Sequence, residues 1–211
     1  MHNSKVTIAT FNKLAQRYQD KYMHLDTYDD TYDFFCTHLP RHAQILELAC
    51  GPGNATRSLL ARRPDFQILG TDMVENMLEL ARANNPTALF DVMDCRDFLR
   101  LGRRFDAIIC AFGLPYISRE DTVQLIANSA KALEPQGLLY LSMMEGDEAQ
   151  SGYQVSGSGD QVYIHYHQHA HLARALKMHG FTELAMYRKP GPAQSSMVST
   201  DLFMIASYQP A

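Results

Sequence analysis

The sequence lacks the patterns typical of a membrane-spanning helix, a signal peptide, a zinc ribbon or a thiol redox site. Among its 211 residues, no apolar run approaches the ~18 residues that a membrane-spanning helix needs. Residues 1–5 do not form a charged start followed by an apolar stretch, so no signal peptide is expected. Cys36, Cys50, Cys95 and Cys110 show no CxxC spacing, which argues against a zinc ribbon. We therefore expect a cytoplasmic chain with free thiols and no membrane partner.

An excess of basic charge is also missing. Nineteen Lys and Arg residues stand against 23 Asp and Glu residues, which gives a formal net charge of −4 and a pI near 6.1. The short basic clusters, Arg62-Arg63 and Arg103-Arg104, each lie beside a turn signal. A protein that follows a phosphate backbone usually carries a basic patch, so the sequence argues against a nucleic acid partner.

Apolar runs and helical patterns alternate from about residue 43 onward. The predicted strands cover residues 43–48, 66–70, 88–92, 105–111 and 138–143, and the predicted helices cover 54–62, 74–83 and 121–133. Such a β-α-β series indicates a parallel sheet with helices on both faces. Ligands of these sheets bind at the carboxyl ends of the strands.

Two regions lie outside that series. Residues 10–38 are predicted to be helical and tyrosine-rich, and two interpretations are open: a helical pair that covers a sheet edge, or a lid over a ligand. Residues 145–160 are polar and glycine-rich, which predicts a mobile loop. A strand at 161–167, a helix at 170–179 and two final strands, 181–187 and 202–208, are predicted beyond it.

A glycine turn follows the first strand. Gly51 and Gly53 permit a tight turn and let a ligand approach the backbone, and the amides that open the next helix favour an anion. Asp72 stands about 25 residues beyond Glu47, at the end of the second strand, where an acid accepts hydrogen bonds from ribose hydroxyls. The alternative for Asp72 is a helix N-cap.

The same turn argues against two other nucleotide families. The nicotinamide fingerprint G-x-G-x-x-G lacks its third glycine here, because Thr56 occupies that position. A P-loop is excluded because no Gly-Lys-Ser/Thr follows. Asp94 follows the third strand, where an acid can accept from an adenine amino group, although Asp91 and Asp97 lie close by.

These residues resemble a known family, the class I S-adenosylmethionine-dependent methyltransferases. The resemblance covers nearly the whole chain and rests on motifs in this order: Glu47-Leu-Ala-Cys-Gly51-Pro-Gly53, Gly70-Thr-Asp72-Met73, Asp94-Cys95, Ala111-Phe112-Gly113, Leu133-Glu-Pro135-Gln-Gly137, His179-Gly180-Phe181 and the helix Asn12-Lys-Leu-Ala-Gln-Arg-Tyr18. It implies a Rossmann-like three-layer α/β sandwich whose seven-stranded, mostly parallel sheet has an antiparallel last strand, with an N-terminal helical cap. Ala49 departs from the family pattern, in which many members have glycine.

The resemblance also implies a role for each cofactor-site residue. Glu47, Gly51 and Gly53 would form the turn at the methionine moiety, and Tyr18 would reach the methionine carboxylate from the lid. Asp72 would hold the ribose, Met73 would pack on adenine, Asp94 and Cys95 would meet the adenine edge, and the Ala111 backbone would lie near the sulfonium. The implied cofactor is S-adenosyl-L-methionine, with S-adenosyl-L-homocysteine as product.

The acceptor side is less determined. Gly113-Leu-Pro115-Tyr116 lacks the side-chain oxygen that DNA amino-methyltransferases place there, so a DNA amine is rejected. Tyr116 and His165 are the candidate catalytic residues. His165, His167, His169 and His171 alternate, but the run passes into a helix, so no metal site is predicted.

We therefore expect a methyltransferase that acts on a small molecule as a monomer or homodimer. A single domain is predicted over 1–211, with a cap at 1–40, a cofactor core at 41–145, and an acceptor loop and closing hairpin at 146–211. Two alternatives stay open: a cofactor-binding sensor or interaction protein without turnover, and a nicotinamide-dependent oxidoreductase. The sequence leaves open whether oxygen, nitrogen, carbon or sulfur accepts the methyl group.

Overall fold

A computed structural model describes residues 2–192 and 199–210. Its helices are α1 (His2–Tyr22), α2 (Asp29–Thr37), α3 (Asn54–Arg62), α4 (Glu75–Asn84), α5 (Arg119–Ala132) and α6 (His169–Met178). Its strands are β1 (Gln44–Leu48), β2 (Gln67–Asp72), β3 (Leu89–Val92), β4 (Phe105–Ala111), β5 (Leu133–Glu145), β6 (Gly152–Val155), β7 (Gln161–Ile164), β8 (Phe181–Pro190) and β9 (Thr200–Tyr208). Three short 3₁₀ turns lie at Phe98–Leu101, Leu114–Tyr116 and Glu148–Gln150.

Seven of these strands form one twisted sheet in the order β3-β2-β1-β4-β5-β9-β8. The β1, β2, β3, β4 and β5 strands pair in parallel, whereas β9 runs antiparallel to both β5 and β8. The strand order reverses beside β1, and such a switch point opens a crevice for a ligand. The predicted fold, a mostly parallel sheet with an antiparallel last strand, is confirmed.

Hydrophobic side chains cover both faces of the sheet. On one face, Leu46, Ile108 and Leu141 pack with residues of α5 and α6. On the other face, Ile45 and Tyr140, both at most 1% exposed, pack with residues of α2 and α3. The central strands carry apolar residues toward both layers, as expected for parallel strands buried on both sides.

The prediction of an irregular loop at 145–160 is wrong. Strands β6 and β7 pair antiparallel as a separate hairpin, with Tyr153 opposite Tyr163. Polar composition concealed it, because strand pairing is made by backbone groups and half of a hairpin's side chains face solvent. The Tyr153 and Tyr163 rings meet edge to face with centroids 5.2 Å apart.

Helix α1 is fastened to this hairpin. The Thr10 hydroxyl donates to the Gln161 carbonyl at 2.7 Å, and Lys13 pairs with Asp160 at 2.7 Å. The Tyr163 amide donates to Thr7 Oγ1 at 3.0 Å. Both interpretations of the N-terminal region therefore hold in part: α1 closes over a cavity, while α2 buries Phe35 and Cys36 against the sheet. None of the helices in the described ranges has the length and apolar character needed to cross a bilayer.

Candidate functional site

A cavity of about 280 Å³ lies above the carboxyl ends of β1, β2 and β4, beneath α1. We group 26 of its lining residues into two sets, which we call the turn side and the far side. The turn side comprises Glu47, Ala49, Cys50, Gly51, Pro52, Asn54, Asp72, Met73, Val74, Met77, Met93, Cys95 and Ala111. The far side comprises Ile8, Phe11, Tyr22, Met23, Leu25, Tyr28, Phe112, Pro115, Tyr116, Ile117, Met144, Ser199 and Asp201. The rest of the lining consists of Ser4, Thr7, Tyr18, Tyr32, Ala55, Ser58 and Pro192.

Gly51 and Asp72 form the centre of the turn side. Gly51 has φ of +53°, and a Cβ added there would meet nothing within 4 Å, so its backbone borders open space. The Gly51 amide donates to Asp72 Oδ2 at 2.8 Å, and the Val74 amide donates to Oδ1 at 2.9 Å. Burial raises the pKa of Asp72, and these amide hydrogen bonds oppose the increase. The carboxylate retains lone pairs for further donors.

Gly53 plays a different part from Gly51. It precedes α3 in the left-handed conformation, with φ of +81°. A Cβ there would come 2.3 Å from Asn85 Nδ2 and 3.4 Å from Ala81, so this glycine lets the start of α3 pack against the end of α4. It does not line the cavity in the described structure.

Thr56 and Glu47 form a buried pair beside the turn. The Thr56 hydroxyl donates to Glu47 Oε2, and both side chains are at most 1% exposed. Burial raises the pKa of Glu47 to about 7, while the hydrogen bonds from Thr56 oppose the increase. Thr56 occupies the position of the third glycine in the nicotinamide fingerprint, and its hydroxyl donates a hydrogen bond to the buried Glu47 carboxyl group.

Ala49 adopts the conformation that a glycine would take more easily. Its φ is +53° and that of Phe112 is +57°, although side chains disfavour this region. A Cβ on Gly113 would come 2.8 Å from the Ala49 Cβ and 2.6 Å from Cys110 Sγ. Alanine at 49 is therefore accommodated because residue 113 has no side chain.

Two of the three residues predicted to contact the adenine line the cavity. Met73 and Cys95 line the cavity, as does Met93, which is 3% exposed. Asp94 does not line it, and its carboxylate pairs instead with Arg96 at 2.5 Å. Burial opposes ionisation of Asp94, but the Arg96 hydrogen bonds lower its pKa overall.

Aromatic rings close the cavity from above. Tyr18 on α1 contacts Phe11 and Tyr22, with ring centroids 5.9 and 4.7 Å apart. Tyr116 meets the Phe11 ring edge to face at 5.0 Å. Burial raises the pKa of both Tyr18 and Tyr116, so both phenols stay protonated at neutral pH.

The structure does not bring His165 to the cavity wall. Its amide donates to the Pro115 carbonyl at 2.7 Å, and its ring lies 4.8 Å from that of Tyr163. His167 Nε2 lies 3.0 Å from the Leu114 carbonyl oxygen. Burial lowers the pKa of both histidines. They brace the Leu114–Tyr116 turn, and residues 2–192 and 199–210 contain no cluster of three metal-ligating side chains.

Three cavity residues escaped the sequence analysis. The Asn54 Oδ1 atom at the start of α3 is buried and has no hydrogen-bond partner within the described chain. Asp201 on β9 is 1% exposed. It accepts a 2.6 Å hydrogen bond from the hydroxyl of Tyr28, which lies between α1 and α2. Tyr28 and Asp201 are 173 residues apart in sequence, and neither lies in a motif.

Comparisons with known proteins agree with this geometry. Residues 45–137 match the family model described as "Methyltransferase domain". Over 110 residues the chain is 36% identical to trans-aconitate 2-methyltransferase of Variovorax paradoxus (strain S110), an alignment that covers 52% of this chain and 42% of that protein. The chain spans about half the length, or less, of the curated relatives that it matches.

Two solved structures share the fold over the full chain. The DhpI–SAH complex superposes with a TM-score of 0.74 at 16% identity and covers 100% of both chains. Magnesium protoporphyrin IX methyltransferase from Synechocystis PCC 6803, with bound SAM, gives 0.71 at 16% identity and covers 99% of this chain and 98% of that one. The chain therefore matches a methyltransferase domain over residues 45–137 and shares its fold with the DhpI–SAH complex and with magnesium protoporphyrin IX methyltransferase.

Proposed function

We propose that this protein transfers a methyl group from S-adenosyl-L-methionine to a small-molecule acceptor and releases S-adenosyl-L-homocysteine. The observation that carries the proposal is the pairing of Gly51 with Asp72 on the cavity wall. An open glycine backbone and a carboxylate stand where a nucleoside with an amino acid tail would contact both. The matched domain over 45–137 contains both residues.

The chemistry of the turn side fits this cofactor. Asp72 supplies acceptors for ribose hydroxyls, and the unpartnered Asn54 Oδ1 supplies an acceptor for an ammonium group. The α3 N-terminus and the Gly51 backbone favour a carboxylate. Met73, Met93 and Cys95 line the cavity and offer a polarizable apolar surface to a purine ring. We carry forward Tyr18, Glu47, Gly51, Asp72, Met73, Cys95 and Ala111 as contacts, and Gly53 as a packing residue.

Methyl transfer does not require the protein to form a covalent bond with the substrate. When bound, the cofactor supplies an electrophilic methyl group on sulfur. The chain's own contribution is to align the acceptor and exclude water. Phe11 and Tyr18 on α1, together with Tyr116, do this as a half-buried aromatic cover. Tyr116 borders the acceptor, whereas Asp94 and His165 support neighbouring backbone from outside the cavity.

Titration calorimetry with S-adenosyl-L-homocysteine tests the proposal. We expect the wild-type protein to bind, and Asp72→Asn to weaken binding about 10- to 100-fold, because a buried hydrogen-bonding group contributes about 1–3 kcal/mol. Asp91→Asn is the matched control, since Asp91 is exposed on β3 and does not line the cavity. Absence of binding at millimolar ligand would refute the proposal, and binding without turnover on any acceptor would indicate a sensor instead.

The type of acceptor, the absence of nucleic acid and membrane partners, the oligomeric state and the location are predictions. We retain a small-molecule acceptor without a nucleic acid or membrane partner, a monomer or homodimer, and a cytoplasmic location. The net charge of −4 supports the first of these, because electrostatic attraction to phosphates is the basis of non-specific nucleic acid binding. Gel-shift titration and light scattering are the direct measurements.

A further inference from the structure

The cavity has an unusual charge balance. Its wall includes the carboxyl groups of Glu47, Asp72 and Asp201, and among the described residues it includes no Lys, Arg or His. Glu47 and Asp72 belong to the turn side, whereas Asp201 lies on β9 on the far side. The proposed cofactor therefore leaves one carboxyl group unexplained.

Asp201 is buried without a cation. Its oxygens accept from the Tyr28 hydroxyl at 2.6 Å and the Ser199 hydroxyl at 3.1 Å. Lys189 is directly opposite on β8, but its ammonium pairs with Asp30 at 2.7 Å. No ion pair reaches Asp201 from the described residues, and a buried carboxylate is costly unless something pairs with it. Burial raises the pKa of Asp201, and the hydrogen bonds from Tyr28 and Ser199 oppose the increase. The ionised carboxylate can only accept, so the ligand that favours this form is one that donates, a cation above all.

The strand register separates Asp201 from the proposed transfer site. Ala111 pairs with Ser142, Ser142 pairs with Phe203, and Asp201 lies two residues farther along β9. Two strand spacings and two residue rises correspond to about 10 Å across the sheet and about 7 Å along it. That separation is the length of a small molecule, so a group held at Asp201 anchors the acceptor and differs from the atom that is methylated.

The surface between these points is apolar and aromatic. Tyr28 packs on Phe112, with ring centroids 5.5 Å apart, and both rings line the far side. Met144, Pro115 and Tyr116 continue this surface. Aromatic faces attract a desolvated cation and accept a flat apolar body.

We infer that Asp201, fixed by Tyr28, anchors the amino group of a small amine-bearing acceptor, and that the cavity disfavours anionic acceptors. The inference rests on the proposed function, since it assigns the acceptor for the same site. It also separates this chain from its relative that is named for trans-aconitate, because a cavity with carboxylates and without a described basic side chain repels a polycarboxylate.

Three probes with one shared hydroxyphenylethyl body test the inference: tyramine, tyrosol and 3-(4-hydroxyphenyl)propionate. Their dissociation constants are measured by calorimetry with saturating S-adenosyl-L-homocysteine. We expect tyramine to bind at least tenfold more tightly than the propionate, with tyrosol between them. Asp201→Asn should reduce that preference below threefold, and Asp91→Asn should leave it unchanged. Equal binding of the three probes, no binding of any, or a preference that survives Asp201→Asn would overturn the inference.

A second measurement keeps the test valid if Asp201→Asn does not fold. Met144 pairs with Asp201 across β5 and β9, whereas Met73 and Met77 belong to the turn side. In wild-type protein with ¹³C-methyl methionine, tyramine should shift the Met144 signal, which Met144→Leu identifies, and leave the other two in place. A shift confined to Met73 and Met77 would place the amine elsewhere. Binding of S-adenosyl-L-homocysteine and turnover of an acceptor test the proposed function, whereas the probe preference tests the inference, so the two can fail separately.

Discussion

Gly51 and Gly53 both have a left-handed backbone conformation, but an alanine at each position would meet different surroundings. A Cβ at Gly53 collides with Asn85, whereas one at Gly51 enters open cavity space. We expect Gly53→Ala to lower the free energy of unfolding by about 2–4 kcal/mol, from overpacking and backbone strain together. Gly51→Ala should cost about 1–2 kcal/mol from strain alone and should weaken S-adenosyl-L-homocysteine binding, because its methyl group occupies ligand space.

Urea unfolding and calorimetry on both variants check this pair. Each glycine serves as the control for the other, since the two lie in one turn. The argument would fail if Gly51→Ala proved the more destabilising of the two, or if it bound ligand like the wild type.

Glu47 gives the protein a pH-dependent stability. Its pKa of about 7 in the folded chain lies above the ordinary value of 4.5. The folded state therefore holds the proton more tightly, so this contribution is complete below about pH 4.5 and is lost as the pH rises through 7. The loss amounts to about 3 kcal/mol of unfolding free energy.

Glu47→Gln should remove most of that dependence, since an amide keeps an oxygen for Thr56 and does not ionise. Urea titrations of the ligand-free protein at pH 5, 6, 7 and 8 provide the measurement. A variant with the wild-type pH slope would show that Glu47 is ionised throughout this range.

At the residue scale, the sequence indicates the turn side better than the far side. Gly51 and Asp72 follow strands that are recognisable from their apolar runs, so strand order alone brings them together. Asp94 and His165 also follow strands, yet each turns to a nearer partner, Arg96 or the Pro115 loop. Position along a strand does not determine which way a side chain faces when a local ion pair or ring contact competes.

At the scale of elements, the contact between α1 and the β6–β7 hairpin holds the cover of the cavity in place. Thr7 is 6% exposed and accepts from the Tyr163 amide. Thr7→Val would leave that amide without its acceptor, at a cost of about 1–3 kcal/mol. We expect amide hydrogen exchange in α1 to accelerate about tenfold or more, while exchange in β1 and β4 stays at the wild-type rate, because local opening need not involve the core.

Thr182→Val is the control for that variant, because Thr182 is exposed on β8. Identical exchange in α1 for the wild type and Thr7→Val would show that the Tyr163 hydrogen bond does not hold the helix.

The same elements show where sequence patterns lose information. Residues 105–111 are recognisable as a strand because the mostly apolar run is seven residues long, which suits a buried strand and is short for a helix. The β6 and β7 strands are four residues each and are separated by a Ser-Gly-rich turn. The strand predicted at 161–167 contains β7, whereas β6 was missed. The hairpin also contacts α1 near the other end of the chain, and a contact between such distant residues has no local signature.

At the scale of the whole molecule, ligand binding should appear as thermal stabilisation. A ligand at 100 times its dissociation constant adds about 2.7 kcal/mol to the free energy of unfolding. For a chain of 211 residues that corresponds to a rise in Tm of about 5–10 °C. S-adenosyl-L-homocysteine should produce it in differential scanning fluorimetry, and NADH should not. A comparable shift with NADH would favour the oxidoreductase interpretation.

The division of the cavity between its two sides has a consequence for how this protein could change. The turn side draws on residues 47–111, within the segment that matches the family model. Nine of the 13 far-side residues lie outside that segment: Ile8, Phe11, Tyr22, Met23, Leu25, Tyr28, Met144, Ser199 and Asp201. Under the proposed function, mutations at the two ends of the chain can change the acceptor while the donor site keeps all its proposed contacts except Tyr18 on α1. For an engineer, the termini are the place to recombine, and residues 45–137 are the part to leave alone.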